Sequence, residues 1–219
     1  MTSLRYAGSG GLAFLTLFVV HRVLQGVGPE AGANLTAYYI ENRDAQRASE
    51  VAVGLALVAF IVFLAALVPS LWRAGALVAS VAALVSGTAF VATSLLSNAA
   101  ETALIAVANG GVSGADTTGT VALYQLQGRT PIVLTIAALA GSLAVALRRT
   151  GLLWPWFTWA SWVAAGVFLL GFGFSAFGDT PEGPSSLYGV GVFVVWMLVL
   201  SLGLMRAPTP PGSSAAAPA

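Results

Sequence analysis

The stretch VAVGLALVAFIVFLAALV, residues 51–68, runs without a single charged or strongly polar side chain. A helix that crosses the ~30 Å hydrocarbon core of a bilayer needs about 20 apolar residues. Five further segments have similar length and hydropathy, and none alternates as an outer-membrane β-strand would. The sequence therefore predicts an all-α, polytopic membrane protein, a bundle of six transmembrane helices. The predicted spans are residues 6–28, 51–71, 75–97, 130–147, 152–177 and 185–205.

The composition of the whole chain supports the same class. Of its 219 residues, 58% are hydrophobic and 8% are charged, and its mean hydropathy is +0.88. Soluble domains carry about 25% charged residues, so a soluble fold of this size could not cover its surface. We expect one transmembrane domain over residues 1–206. The remaining stretch APTPPGSSAAAPA, residues 207–219, is of low complexity and is expected to be a disordered tail.

The distribution of arginine predicts how the helices are threaded. Short cytoplasmic loops of membrane proteins are enriched in basic residues. With a cytoplasmic N-terminus, five arginines fall on the inner side, three on the outer side, and Arg22 within a span. All eight acids then fall outside. We therefore expect a protein of the plasma membrane with both termini in the cytoplasm. The inner arginines are Arg5, Arg73, Arg148, Arg149 and Arg206, and the outer ones are Arg43, Arg47 and Arg129.

Several kinds of chemistry are disfavoured by the residues that the chain lacks. It has no cysteine, which excludes disulfides and thiolate metal sites, and all nine basic residues are arginine, which excludes a lysine Schiff base. One histidine, His21, cannot form a bis-histidine haem site. No phosphate-binding loop or GxSxG turn occurs. We expect no enzyme activity, no cofactor and no metal, and a net charge of +1 gives no reason to expect nucleic-acid binding.

The stretch LFVVHRVLQG, residues 17–26, places a charged side chain inside an apolar span. An intramembrane arginine suggests a functional site with a partner, and Glu101 is the acid expected at the same depth. We predict a polar pocket in the outer leaflet that binds an anionic head group or small acid. In the alternative, Arg22 and His21 only extend to the interface and Glu101 is solvated. The pocket hypothesis includes His21, Arg22, Gln25, Glu101, Gln125 and Arg129.

Two further patterns concern packing. Small residues allow helices in lipid to approach closely, and they recur at four-residue spacing at Ala79, Ala83 and Gly87 in span three. A second stripe, Ala138/Ser142/Ala146, lies in span four, although ordinary alanine-rich composition explains such stripes equally well. The segment NLTAYYIENRDAQR, residues 34–47, is predicted to form a short amphipathic helix on the outer interface.

Nearly the whole chain except the tail resembles a family of uncharacterised six-span bacterial integral membrane proteins, which is defined as a domain of unknown function. The similarity is carried by residues 38–67, YYIENRDAQRASEVAVGLALVAFIVFLAAL, and by residues 122–162, with the turn LRRTGLLWPWFTW. In that turn relatives often have an Arg-x-Gly-x-Leu-Pro-x-Trp pattern. The resemblance implies a six-helix bundle in the plasma membrane and transfers no catalytic or binding residue.

Two functional classes remain open at this stage. The first is a non-enzymatic accessory or structural membrane subunit that acts through helix–helix contacts, with a second copy or another membrane protein as partner. The second is a small-molecule or lipid-binding carrier or transporter that uses the polar pocket. In both, the lipid bilayer is the surrounding medium, and a lipid or small anionic ligand is a candidate for the pocket.

Overall fold

The computed structural model describes residues 3–26, 35–108, 131–177 and 185–207. All regular structure in these residues is α-helical, and six of the helices are long and apolar enough to cross a membrane. The protein is thus a multi-pass membrane protein. The helices are α1 (Ser3–Gln25), α2 (Leu35–Glu41), α3 (Arg43–Arg73), α4 (Leu77–Ala108), α5 (Pro131–Thr150), α6 (Pro155–Phe177) and α7 (Ser185–Arg206).

The six long helices form a closed ring. Starting from α1, each helix contacts the next in the order α3, α4, α5, α6 and α7, and α7 packs back against α1. Two neighbouring pairs, α3–α4 and α5–α6, are joined by short turns, as expected for antiparallel helices. Gly75 and Gly151 occupy these turns with φ of +92° and +62°, backbone values that side chains with a Cβ rarely adopt.

Small residues in α1 allow it to fit between two neighbours. A Cβ added to Gly10 would lie 3.0 Å from the backbone nitrogen of Phe63 in α3. A Cβ added to Gly8 would lie 2.7 Å from the carbonyl oxygen of Ser201 in α7, and one added to Gly11 would overlap the Ser201 hydroxyl. The sequence AGSGG at residues 7–11 therefore provides the close helix approach by which lipid-embedded helices attract each other.

Aromatic rings fill the middle of the helix ring. We call this set the phenyl core, and all of its members are buried. The ring centroids of Phe60 and Phe90 are 5.0 Å apart, and those of Phe14 and Phe193 are 5.7 Å apart. Contacts between such rings each contribute about 0.5–1.5 kcal/mol beyond the area that they bury. The phenyl core joins residues from five of the six long helices and comprises Phe14, Phe60, Phe90, Phe168 and Phe193.

The two ends of the bundle differ in charge. The hydroxyls of Ser3 and Ser70 are 2.9 Å apart, so the start of α1 lies beside the end of α3, and Gly8 lies against the end of α7. We call this the arginine end, and the opposite one the acid end. The arginine end carries Arg5, Arg73, Arg148, Arg149 and Arg206, and the described acids at the acid end are Glu41, Asp44, Glu50 and Glu101.

Two helices extend beyond the apolar segments that identified them. Helix α3 begins at Arg43, well before the apolar run that starts at Val51, and only α2 forms the short helix expected in this region. Helix α4 continues to Ala108 through a segment that includes Glu101. Both extensions are at the acid end. They bring polar residues of α3 and α4 level with the end of α1, where the candidate site lies.

Candidate functional site

A group of polar side chains from α1 to α4 forms hydrogen bonds at the acid end, and we call it the polar cluster. It lies on the acid-end side of the phenyl core, where the end of α1 meets the start of α3 and the end of α4. Its members are His21, Arg22 and Gln25 of α1, Tyr38 of α2, Gln46, Ser49 and Glu50 of α3, and Glu101 and Thr102 of α4.

His21 connects α1 to α3. Its Nδ1 lies 2.7 Å from the Ser49 hydroxyl and 3.2 Å from the Ser49 carbonyl oxygen. Because a carbonyl oxygen only accepts, the second contact is a hydrogen bond when Nδ1 carries the proton. The Ser49 hydroxyl in turn donates to the His21 carbonyl at 3.2 Å. Both residues are buried, so these polar groups satisfy one another within the protein.

Gln25 is the centre of the polar cluster. Its side-chain oxygen accepts a hydrogen bond from Arg22 Nη1 at 2.8 Å, and its Nε2 donates to the two carboxylate oxygens of Glu101 at 3.1 and 3.4 Å. Its backbone carbonyl accepts from the Tyr38 hydroxyl at 3.2 Å and from Gln46 Nε2 at 3.4 Å. One residue at the end of α1 therefore links α1 to three other helices.

Glu101 is a buried carboxylate, with 7% of its surface exposed. Removing a carboxylate from water is costly unless hydrogen bonds and opposite charge compensate. Gln25 supplies the hydrogen bonds and connects Glu101 to Arg22, whose guanidinium carbon also lies 5.5 Å from the centre of the Phe18 ring. Arg22 thus has a cation–π contact on one side and a hydrogen-bonded path to an acid on the other.

Tyr38 extends the polar cluster to α2. Its hydroxyl donates to the Gln25 carbonyl and accepts a hydrogen bond from Gln46 Nε2 at 3.3 Å. Burial, together with the negative charge of Glu101, raises the pKa of Tyr38 above its ordinary value of 10.0. The phenol therefore stays protonated, and remains a donor, over the whole neutral range.

The side-chain oxygen of Gln46 is a buried acceptor that receives no hydrogen bond from the described residues. The residue is 2% exposed, and both of its contacts above use Nε2 as donor. Within the described part of the chain, Oε1 of Gln46 accepts no hydrogen bond. An unsatisfied buried acceptor costs about 1–3 kcal/mol. Such a group in a folded protein calls for a donor, from water or from a ligand.

Glu50 and Thr102 form a second connection between α3 and α4. The Thr102 hydroxyl donates to Glu50 Oε1 at 2.8 Å and lies 2.9 Å from the Asn98 carbonyl oxygen. Glu50 is partly buried and Thr102 is exposed. This contact is the solvent-accessible part of the polar cluster, in contrast to the buried pair of His21 and Ser49.

Four of the six residues predicted for the pocket lie in the polar cluster. They are His21, Arg22, Gln25 and Glu101, and the last three form one hydrogen-bonded chain. Gln125 and Arg129, the other two, lie outside the described residues. The predicted connection between an arginine and Glu101 is indirect. Arg22 donates a hydrogen bond to Gln25, and Gln25 donates one to Glu101.

Five members of the polar cluster were not predicted: Tyr38, Gln46, Ser49, Glu50 and Thr102. Tyr38 and Gln46 belong to the segment 34–47, which was expected to form a helix on the interface. The helical period links these residues to the buried face of α3 once that face is known. Val53 lies on it, and Glu50, Ser49 and Gln46 precede Val53 by three, four and seven residues. The polar residues before the apolar run therefore continue its buried face.

Comparison of the chain with profiles of known protein families, with curated proteins and with solved structures finds no match.

Proposed function

We propose that the protein is a non-enzymatic accessory or structural subunit of the plasma membrane, which acts through helix–helix contacts. The observation that carries this proposal is the open face of α6. In the most apolar 18-residue stretch of α6, 22% of the residues are buried, against 39–44% in the corresponding stretches of the other five spans. Trp159, Val163 and Leu170 are all exposed and recur at helical spacing. We assign the partner helix to this face because it is the least covered of the six spans.

The phenyl core supports a role in assembly rather than conduction. Rings from five helices touch across the middle of the bundle, so the interior at this level is occupied by side chains. A transporter would have to separate these rings to open a route along the bundle axis. A subunit that contributes contacts at its outer surface requires no such movement.

Native mass spectrometry of the protein extracted from its membrane in mild detergent tests this proposal. Val163 and Val85 are 62% and 63% exposed, on α6 and α4 respectively, and form a matched pair. We expect the wild type to retain a second polypeptide at a fixed ratio, and Val163→Phe to lose it while Val85→Phe keeps it. A wild type that is always a lone polypeptide would refute the proposal.

The contact between His21 and Ser49 supports the non-enzymatic part of the proposal. A distance of 2.7 Å matches that of a nucleophile and its base. The Ser49 hydroxyl, however, is directed to the His21 carbonyl, and both side chains are buried between α1 and α3. A substrate cannot approach this hydroxyl without separating the helices. His21→Asn should therefore lower the melting temperature in detergent. It should leave the rate of hydrolysis of generic ester substrates unchanged.

The orientation in the membrane is part of the same proposal. The concentration of arginine at one end supports a cytoplasmic arginine end, and hence both termini in the cytoplasm. Fusions to the C-terminus of the full chain test it: green fluorescent protein should fluoresce there and periplasmic alkaline phosphatase should be inactive. The opposite pair of results would invert the proposed threading. Membership of the six-span bacterial family is likewise a proposal, and it rests on residues 38–67 and 122–162.

A second candidate function follows from Gln46. Its unsatisfied Oε1 lies in the polar cluster, so the cluster suits a ligand that brings a hydrogen-bond donor to this buried acceptor. This is the carrier alternative, with a lipid head group or small acid as ligand. Wild-type protein should then retain a small-mass adduct that Gln46→Met loses and Arg47→Met, an exposed control, keeps. Absence of an adduct from the wild type would exclude this alternative.

A further inference from the structure

A cavity of about 290 Å³ lies at the arginine end, on the opposite side of the molecule from the polar cluster. It is formed where the turn between α5 and α6 meets the start of α6 and the end of α7. Its walls include Leu152, Trp154, Phe157, Val199 and Arg206. Neither the proposed subunit contact on α6 nor the polar cluster uses this cavity.

The walls combine one cation with an apolar surface. Arg206 is the charged member of the lining, and leucine, valine and aromatic side chains form most of the remainder. A guanidinium binds the oxygens of a phosphate through paired hydrogen bonds. The apolar part provides no partner for a free, hydrated anion, but it matches a hydrocarbon chain. An aromatic site for a cationic ligand is disfavoured because Arg206 would repel the cation.

The surroundings of the cavity reinforce the same charge preference. Arg148 and Arg149 come immediately before the turn that contains Leu152, and both are exposed. All acids among the described residues lie at the other end of the bundle, so none of them neutralises Arg206. Each basic residue near a membrane surface favours an anionic lipid by about 1 kcal/mol. The local field therefore attracts anionic rather than zwitterionic lipid.

The position of the tryptophans fits the boundary between head groups and acyl chains. Trp154 and Trp156 both line the cavity, and both are exposed. Indole rings favour this boundary because the ring is apolar and its N–H needs a polar partner. Trp156 also stacks on Phe157, with centroids 3.8 Å apart, which fixes this wall.

We propose that this cavity binds an anionic glycerophospholipid from the leaflet at the arginine end. The lipid phosphate lies on Arg206, and one acyl chain packs along Leu152, Phe157 and Val199. The site selects the lipid by charge at its rim and holds it by apolar contact inside. This inference does not rest on the proposed subunit role, because it is argued from the cavity and Arg206, neither of which that role uses.

Native mass spectrometry with added lipid tests the proposal on the full chain. The purified protein is equilibrated with equal amounts of phosphatidylglycerol and phosphatidylcholine in mild detergent. We expect one retained phosphatidylglycerol, and a reduction of its preference over phosphatidylcholine by about fivefold in Arg206→Gln, the equivalent of one basic residue. Arg73→Gln removes a charge from the same end but not from the cavity, and should leave the preference unchanged.

A second variant separates the cavity from the surface charge. Val199→Phe adds bulk to the apolar wall and keeps every arginine, so it should also reduce phosphatidylglycerol retention while leaving the melting temperature of the lipid-free protein near that of the wild type. Equal loss in Arg73→Gln and Arg206→Gln would show general surface attraction and overturn the proposal. Displacement of the lipid by inorganic phosphate would overturn it as well.

Discussion

Substitution of Phe193 by alanine is the most direct test of the phenyl core. Phe193 lies on α7 and has five aromatic neighbours, with centroid distances between 5.6 Å, to Phe18, and 6.4 Å, to Phe168. Truncation would leave a cavity where α1, α4, α6 and α7 converge. Since the ring is 3% exposed, lipid tails cannot simply occupy the space.

The size of the effect can be bounded from both sides. Phenylalanine-to-alanine changes in soluble cores cost about 3–5 kcal/mol. In a membrane the transfer part of this cost is smaller, because an unfolded but inserted helix exposes the side chain to lipid rather than to water. Five ring pairs at about 0.5 kcal/mol each give about 2.5 kcal/mol as a lower value. We therefore expect Phe193→Ala to lower the free energy of unfolding by about 2.5–4 kcal/mol.

Unfolding by sodium dodecyl sulfate in mixed micelles, followed by circular dichroism, measures this difference. Val195 lies two residues away on α7 and is 60% exposed, so Val195→Ala serves as the control and should change stability by less than about 0.5 kcal/mol. If Phe193→Ala were as stable as the control, the rings would not hold the helices together and the closed interior would be refuted.

Three other substitutions test separate parts of the structure. Glu101→Ala should destabilise the protein in detergent by about 1–2 kcal/mol, because it leaves Gln25 Nε2 without its acceptor, whereas exposed Glu41→Ala should not. Equal melting temperatures would indicate a solvated Glu101. Because the pKa of Tyr38 is raised in the folded protein, the unfolded chain loses this proton first, and stability should fall as the pH rises above 10. Tyr38→Phe should abolish the part of this fall that is due to Tyr38, as measured by thermal melting. Gly203→Ala places a Cβ 2.5 Å from the Phe157 ring and should lower the free energy of unfolding by about 1–3 kcal/mol. A Cβ at Gly166 meets no atom within 4 Å, so Gly166→Ala should be neutral or stabilising in the same assay.

The class of fold could be predicted from the sequence because the requirement for apolar length is simple. Each lipid-crossing helix needs its own run of apolar residues, and the run at 51–68 lies entirely within α3. Helix ends were harder to predict. Helix α3 continues backwards through charged residues to Arg43, since a helix can extend past the bilayer without changing its hydrogen bonding, and hydropathy does not detect that extension.

Packing inside the bundle was only partly predictable. The stripe Ala79, Ala83 and Gly87 is buried, and a Cβ on Gly87 would lie 2.6 Å from Leu64. In the stripe of α5, however, Ala138 is exposed. The faces that pack inward cannot be read from a helix that is apolar on all sides, because lipid and protein interior are equally apolar surroundings. For the same reason the phenyl core has no signature in the sequence.

The candidate site was predictable only in its three α1 members and in Glu101 of α4. His21, Arg22, Gln25 and Glu101 are polar residues within or beside apolar runs, so they are conspicuous. Gln46 and its neighbours precede their run in an ordinary polar segment, and their burial depends on how α1, α2 and α4 surround them.

The closure of the helix ring between its first and last helices is the central structural claim, and a cysteine pair measures it. A Cβ at residue 11 would lie 3.2 Å from Cβ of Ser201, close to the separation that a disulfide requires. The natural chain has no cysteine, so Gly11→Cys with Ser201→Cys introduces the only two thiols. With a protease site inserted at residue 115, oxidation in the membrane should keep the two fragments joined on a gel until a reductant is added. The pair Gly11→Cys with Val163→Cys should not join them. Fragments that separate equally in both variants would show that α1 and α7 are not neighbours, and would contradict the fold on which the site and both proposals depend.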